Sequence, residues 1–149
     1  MSTTTSPSQK HAGYDMPPPS AEHLGTQKVA QRLVELCSTG KNRDAIVELY
    51  ADNARHIEAM EGPGCPRIVD SKATILHKAD QFAKSTTIHA ASVGKPLVNG
   101  DQFTCDMSLD CTAGEGPFAG QRMKMSETAL YTVKNGKITE AKFFYSCGM

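Results

Sequence analysis

The chain has 149 residues, enough for one domain with its own core, and its 16 Lys and Arg balance 16 Asp and Glu to a formal charge of zero. A balanced chain presents no basic field, which argues against nucleic acid or anionic lipid as a partner, and no apolar run approaches the roughly 18 residues of a membrane span. The N-terminus lacks the apolar centre of a secretory signal, so a cytoplasmic protein is expected. Five cysteines (Cys37, Cys65, Cys105, Cys111 and Cys147) are an odd number without CxxC spacing. They read as small apolar side chains in a reducing compartment. Cys105 and Cys111 share a strand face, yet six residues of strand hold them about 20 Å apart.

Residues 1–20 are rich in Ser, Thr and Pro and end in Pro17-Pro18-Pro19. With so few large apolar side chains the ordering entropy is not offset, and a disordered arm is expected, with Tyr14 and Met16 as its possible anchors. The folded domain is then 21–149. From Ala21 the spacing of Val29, Ala30, Leu33, Leu36 and Cys37 predicts a helix with one buried stripe, stopped by Thr39-Gly40. A shorter helix follows over Arg43 to Tyr50, burying Ile46, Leu49 and Tyr50.

Ala54 to Met60 reads as a strand with Ala54, His56, Glu58 and Met60 on one face. Gly62-Pro63-Gly64-Cys65-Pro66 is a loop, and Asp70 or Ser71 can cap a third helix with the stripe Ile75, Leu76, Ala79, Phe82 and Ala83. The remainder is strand: Thr87 to Val93, a turn at Gly94-Lys95-Pro96, then Gln102 to Thr112 with strict alternation. Gln121 to Val133 and Lys137 to Cys147 flank Asn135-Gly136, the strongest short hairpin signal there is. Helices collected in the first half and an antiparallel sheet in the second define an α+β domain without internal repeats.

Two stretches carry a family resemblance. Ala45-Ile46-Val47-Glu48-Leu49-Tyr50-Ala51-Asp52-Asn53-Ala54 resembles the short helix and Tyr/Phe-Ala-Asp-Asp-Ala entry into the first strand of ketosteroid isomerases and SnoaL-like proteins. Tyr131-Thr132-Val133-Lys134-Asn135-Gly136-Lys137-Ile138 is similar to their last hairpin, and Phe143-Phe144-Tyr145 to the close of one SnoaL-like branch. The likeness runs over about residues 24 to 147 and is to the SnoaL-like family within the nuclear transport factor 2-like superfamily. It implies a cone-shaped barrel of three helices on a curved, mainly antiparallel sheet, a conical pocket, and a homodimer packed through the sheet. The superfamily contains isomerases, cyclases, dehydratases, hydrolases and binding modules, so fold alone does not choose the chemistry.

Glu58 falls where the isomerases place their general base, six residues after Ala51-Asp52; its alternative is a strand-end carboxylate paired with Arg55 or Arg67. Glu127 is the more unusual residue, since alternation puts it on the face of Met123, Met125, Ala129, Tyr131 and Val133. A carboxylate there has to be hydrogen-bonded, paired or protonated. The resemblance sets it near the isomerases' protonated oxyanion-hole acid, the alternative being a structural carboxylate held by a neighbouring strand or by a helix Lys or Arg. Where those isomerases carry a helix Tyr as oxyanion donor this chain has Leu33 and Val34, which argues against steroid isomerisation.

Tyr131, Phe143 and Tyr145 face inward by alternation, and His56, Met60, His89 and Met125 complete the expected pocket lining. His56, Glu58, His89 and Glu127 include the residue types a metal uses, but no HExxH-type signature joins them, and neither metal nor cofactor is expected. The expected function is a pocket for a small, partly apolar organic molecule, in a cofactor-independent isomerase, cyclase or hydratase with Glu58 and Glu127 as acid–base pair. The alternative is a ligand-binding or dimeric interaction module that catalyses nothing.

Overall fold

Ser20 accepts a hydrogen bond from the His23 backbone N–H and so caps α1 (Ala21–Ser38), whose stripe of Val29, Ala30, Leu33, Leu36 and Cys37 is buried. The computed structural model describes residues 10–11, 14–62 and 64–146. α1 ends as its sequence requires: Gly40 takes φ 76°, and Lys41 donates its N–H back to the Leu36 carbonyl. α2 (Asn42–Leu49) buries Ala45, Ile46 and Leu49 and passes without a loop into β3 (Tyr50–Ile57). That strand begins four residues earlier than its alternation suggests, because Tyr50 is itself buried in the core and extends the backbone there.

β4 (Ile68–Asp70) then pairs back onto β3, and Ser71 caps α3 (Lys72–Ser85) by accepting from the Thr74 N–H. β5 (Thr86–Val93), β6 (Leu97–Asn99), β7 (Gln102–Ala113), β8 (Arg122–Lys134) and β9 (Lys137–Phe144) complete the chain. β4 and β6 went unread in the sequence, since three residues show no periodicity.

The seven strands form one sheet in the order β4-β3-β9-β8-β7-β5, with β6 also on β7. All pairings are antiparallel except β3 with β9. The sheet does not close into the barrel expected from the sequence; it remains open, with register shifts in the β3–β9, β5–β7 and β8–β9 ladders where strands bend. One face carries the helices, and there Phe103, Cys105, Ala129, Tyr131, Val133, Ile138 and Ala141 meet the stripes of α1 and α2. Along α3 only Ile75 is fully buried; Phe82 and Ala83, expected in its stripe, are exposed because the last turn runs past the core.

Of the arm expected to be disordered, residues 1–9 and 12–13 lie outside the described residues, as do residues 147–149. Lys10–His11 (β1) and Tyr14–Asp15 (β2) instead pair with each other as a separate two-stranded ladder. Among the described residues no helix is long and apolar enough to cross a membrane.

The β8–β9 hairpin turns on Asn135 and Gly136, both at positive φ, 51° and 74°, a combination matched to the twist of the flanking strands. Gly136→Ala should therefore cost about 1 kcal/mol, read as a lower urea midpoint at unchanged m-value.

Candidate functional site

Alternation along β8 and β9 brings the carboxylates together. Thr128 pairs with Phe144, so one further step of the antiparallel register sets Tyr145 beside Glu127, and Met107 lies on Glu127's other side. β3 runs parallel to β9 with His56 opposite Ala141, which carries Glu58 to the same end of the helix-covered face. α3 crosses that end and supplies Lys78, on the flank of its Ile75–Ala79 stripe.

Glu58 is the anchor of the group. Lys78 Nζ donates to its Oε1 at 2.5 Å and Tyr145 Oη donates to its Oε2 at 3.0 Å. Only 14% of the Glu58 side chain and 27% of Lys78 remain accessible. Neither arginine expected as a partner holds Glu58: Arg55 pairs with Asp70, and Arg67 contributes its backbone carbonyl to the Glu58 N–H.

His56 sits beneath, buried, with Nε2 2.8 Å from the Tyr50 hydroxyl and edge-on to Phe143 at 5.0 Å between centroids. Burial pushes its pKa down to about 3, and the charge of Lys78 acts in the same direction. Burial likewise drives the Tyr50 hydroxyl upward, so both groups are neutral near pH 7 and the contact is between two uncharged partners.

Glu127 is half-buried and accepts no hydrogen bond or ion pair from the described side chains. Burial raises its pKa, the neighbouring Glu58 raises it further, and Lys78 partly opposes them. Of two carboxylates a strand apart, then, one is fully engaged by donors and the other is pushed toward its neutral acid.

The remaining expected residues divide. Tyr131 is buried and stacks on Phe103 at 4.7 Å, so it belongs to the core on the same face of β8 as Glu127. Phe143 walls His56, whereas Met60 lies past the end of β3 and is exposed. Met125 shares the face of Glu127 and is 42% exposed beyond the helices. His89 does not join the site: it lies at the β5 register shift, exposed, with Nε2 2.7 Å from Thr112 Oγ1. Among the described residues no three of His, Cys, Asp and Glu converge as a metal site requires. Buried Cys37 and Cys105, their thiols pushed up to about 11 and about 12 by burial, are unreactive at neutral pH.

Lys78 was missed by sequence reasoning. Its signal was its place three residues after Ile75 and one before Ala79, where a lysine can lay its stem along the buried stripe and extend its ammonium over the sheet. The enclosed pocket also differs from expectation. A groove of about 540 Å³ is bordered by Met107, Glu127 and Tyr145, but much of its lining, including Ser92, Ser108, Ser126 and Asp106, belongs to the opposite face, where register sets Ser92, Ser108 and Ser126 in one row. Glu58, His56 and Tyr131 do not line it.

The architecture, three helices on a largely antiparallel open sheet, is the fold of solved nuclear transport factor 2-like proteins. The family model described as the SnoaL-like domain matches residues 24–145, and the chain belongs to that family. A solved structure from Mesorhizobium loti, named as a candidate SnoaL-like polyketide cyclase, is 38% identical with a TM-score of 0.74, over 80% of this chain and 97% of that one. A candidate isomerase from Bacillus subtilis shares the fold at 13% identity and TM-score 0.65, over 85% of this chain and 90% of its own. A Xanthomonas campestris protein named as a candidate polyketide cyclase does so at 18% and 0.63, covering 85% and 93%. No curated protein matches the chain.

Two pH effects follow. His56 binds protons in the unfolded chain below its ordinary value of 6.5 but resists them in the fold until about pH 3. Its contribution is thus complete above pH 6.5 and is lost as pH falls toward 3. The His56 ring signals should stay those of a neutral imidazole in NMR spectra from pH 8 to pH 5. Glu127 has the opposite sign, since a raised carboxyl favours the fold at low pH and loses that advantage as pH rises through the folded value. Glu127→Gln should therefore gain stability relative to the parent at pH 8 and not at pH 4, measured by urea denaturation.

Proposed function

We propose that the protein is a cofactor-independent acid–base enzyme of the isomerase or cyclase kind, acting on a small, partly apolar carbonyl compound. The observation that carries this reading is the pair of carboxylates in unequal environments, Glu58 held by two donors and Glu127 biased toward its acid. Glu58 takes a proton from carbon next to the carbonyl, and Glu127, keeping its own proton, donates a hydrogen bond to the oxygen that gains charge. The covered face beyond Glu127 is apolar, with Met125 opposite Leu109 and Ala91, and Met123 opposite Cys111 and Ile88. Exposure of Met125 and Ile88 gives an organic substrate a route to the carboxylates. Tyr131 and Phe143 pack in the core of the covered face, and Tyr145 orients Glu58.

A second reading has its own support: the Lys78 and Tyr145 contacts to Glu58 would equally suit a binding module in which that carboxylate is structural. Proton exchange separates the two. Incubated in D2O with a panel of cyclic and linear β-diketones, the protein should speed deuterium uptake at the activated carbon, followed by NMR. Glu58→Gln should slow that uptake by about a hundredfold, read under conditions where circular dichroism shows the variant as fully folded as the parent. No acceleration by the parent, or an unaltered rate in the variant, would leave the binding module as the better account.

The reading includes a homodimer through the sheet face opposite the helices. Ile68 and Leu97 are exposed there, in a row that register extends through Ile57, Lys142, Leu130 and Thr104. Sedimentation equilibrium should give twice the chain mass, and Leu97→Asp should shift it toward the monomer; a monomeric parent would remove the dimer from the account.

A further inference from the structure

Building on the acid–base reading of this site, the geometry points to Lys78 as a further catalytic residue, the cation that meets the negative charge on the substrate oxygen while Glu58 holds the proton. An ammonium has three N–H donors. Glu58 Oε1 occupies one at 2.5 Å, and no other described side chain or carbonyl accepts from Lys78 Nζ, so two donors remain. Lys78 still has 27% of its side chain accessible, more than the carboxylate it holds. Its charge acts on both His56 and Glu127.

Glu127 offers that oxygen a hydrogen bond from its acid proton but no positive charge, and the remaining candidates for the task are spent or out of reach. Tyr145 gives its hydroxyl to Glu58, Tyr131 lies buried against Phe103, and the turn of α1 that could present a phenol carries Leu33 and Val34. His56 is neutral and directed at Tyr50. A cation desolvated on its stem and fixed by one carboxylate is a preorganised partner for an enolate.

The step balances without a co-reactant. Glu58 removes the C–H proton, and the electron pair moves onto the carbonyl oxygen, where Lys78 Nζ–H meets the charge. Return of the proton to the same or another carbon restores the ketone and the free carboxylate.

The probe is 4-nitrophenol, a planar oxyanion whose colour reports its ionisation, titrated at the pH where the free phenol is half ionised. The parent should bind the phenolate in preference to the phenol. Lys78→Gln should weaken phenolate binding by about tenfold or more with phenol binding little changed, and Lys78→Arg should restore much of the preference. Glu58→Gln should bind phenolate more tightly than the parent, because the ammonium no longer shares itself with a carboxylate. If Lys78→Gln does not fold, the double variant Glu58→Gln with Lys78→Gln, which leaves no unpaired charge, is compared with Glu58→Gln alone and should lose the preference. A parent that binds no phenolate or does not prefer it, or a lysine-free variant that keeps the preference, overturns the assignment. Failure of the base reading shows elsewhere, as unaltered deuterium exchange in Glu58→Gln.

Discussion

Side chains alternate along a strand, and on β8 that rule leaves Glu127 no choice but the face of Ala129, Tyr131 and Val133. The core requires those three residues to point toward the helices, so a carboxylate two positions before Ala129 is committed to the same side. Everything chemical in this molecule follows from that commitment. The same logic on β9 turns Phe143 and then Tyr145 inward beside it, and on β3 it turns His56 and Glu58 inward from the far side of β9. A one-residue slip in any of these ladders would send a charged group to the opposite face and an apolar one to water.

The charges so gathered are arranged unequally. Glu58 and Lys78 neutralise one another at close range, while Glu127 stands near enough to sense both and too buried to ionise freely. Beneath them His56 and Tyr50 add a hydrogen bond without a charge. The group combines an anion and its cation with members that are neutral or biased toward neutrality. Where these groups are withdrawn from water, as Glu58 is, such an asymmetry is less screened than on an open surface.

Much of this was legible in the sequence where a pattern is long enough to show a period. The α1 stripe, the alternation of β7 and β8 and the Asn135-Gly136 turn all carry strong local signals, and the structure has them at those places. What was illegible depends on tertiary position. β4 and β6 are three residues each, paired only because β3 and β7 present an edge to them. Phe82 fits the α3 stripe by spacing, yet burial depends on where α3 runs out of sheet to cover. In the site, Glu127 could be placed by alternation alone, but its neighbours could not. Which cation faces Glu58 is decided by the path of α3 over the sheet, and Arg55 and Arg67 are closer in sequence than Lys78. His89 failed for a related reason: one register shift in β5 turns its side chain toward Thr112.

The parallel pairing of β3 with β9 has a temporal side. β9 stands between β3, which holds His56 and Glu58, and β8, which holds Glu127, and it joins residues 50–57 to residues 138–142. Contacts so distant along the chain form late, after the loop-closure entropy of most of the domain has been met. During synthesis, β3 waits with one edge unpaired until the last hairpin has left the ribosome, and before then the two carboxylates belong to separate pieces. The cluster around Glu58 and Glu127 is thus among the last things the nascent chain assembles, and an incomplete chain carries both carboxylates without bringing them together.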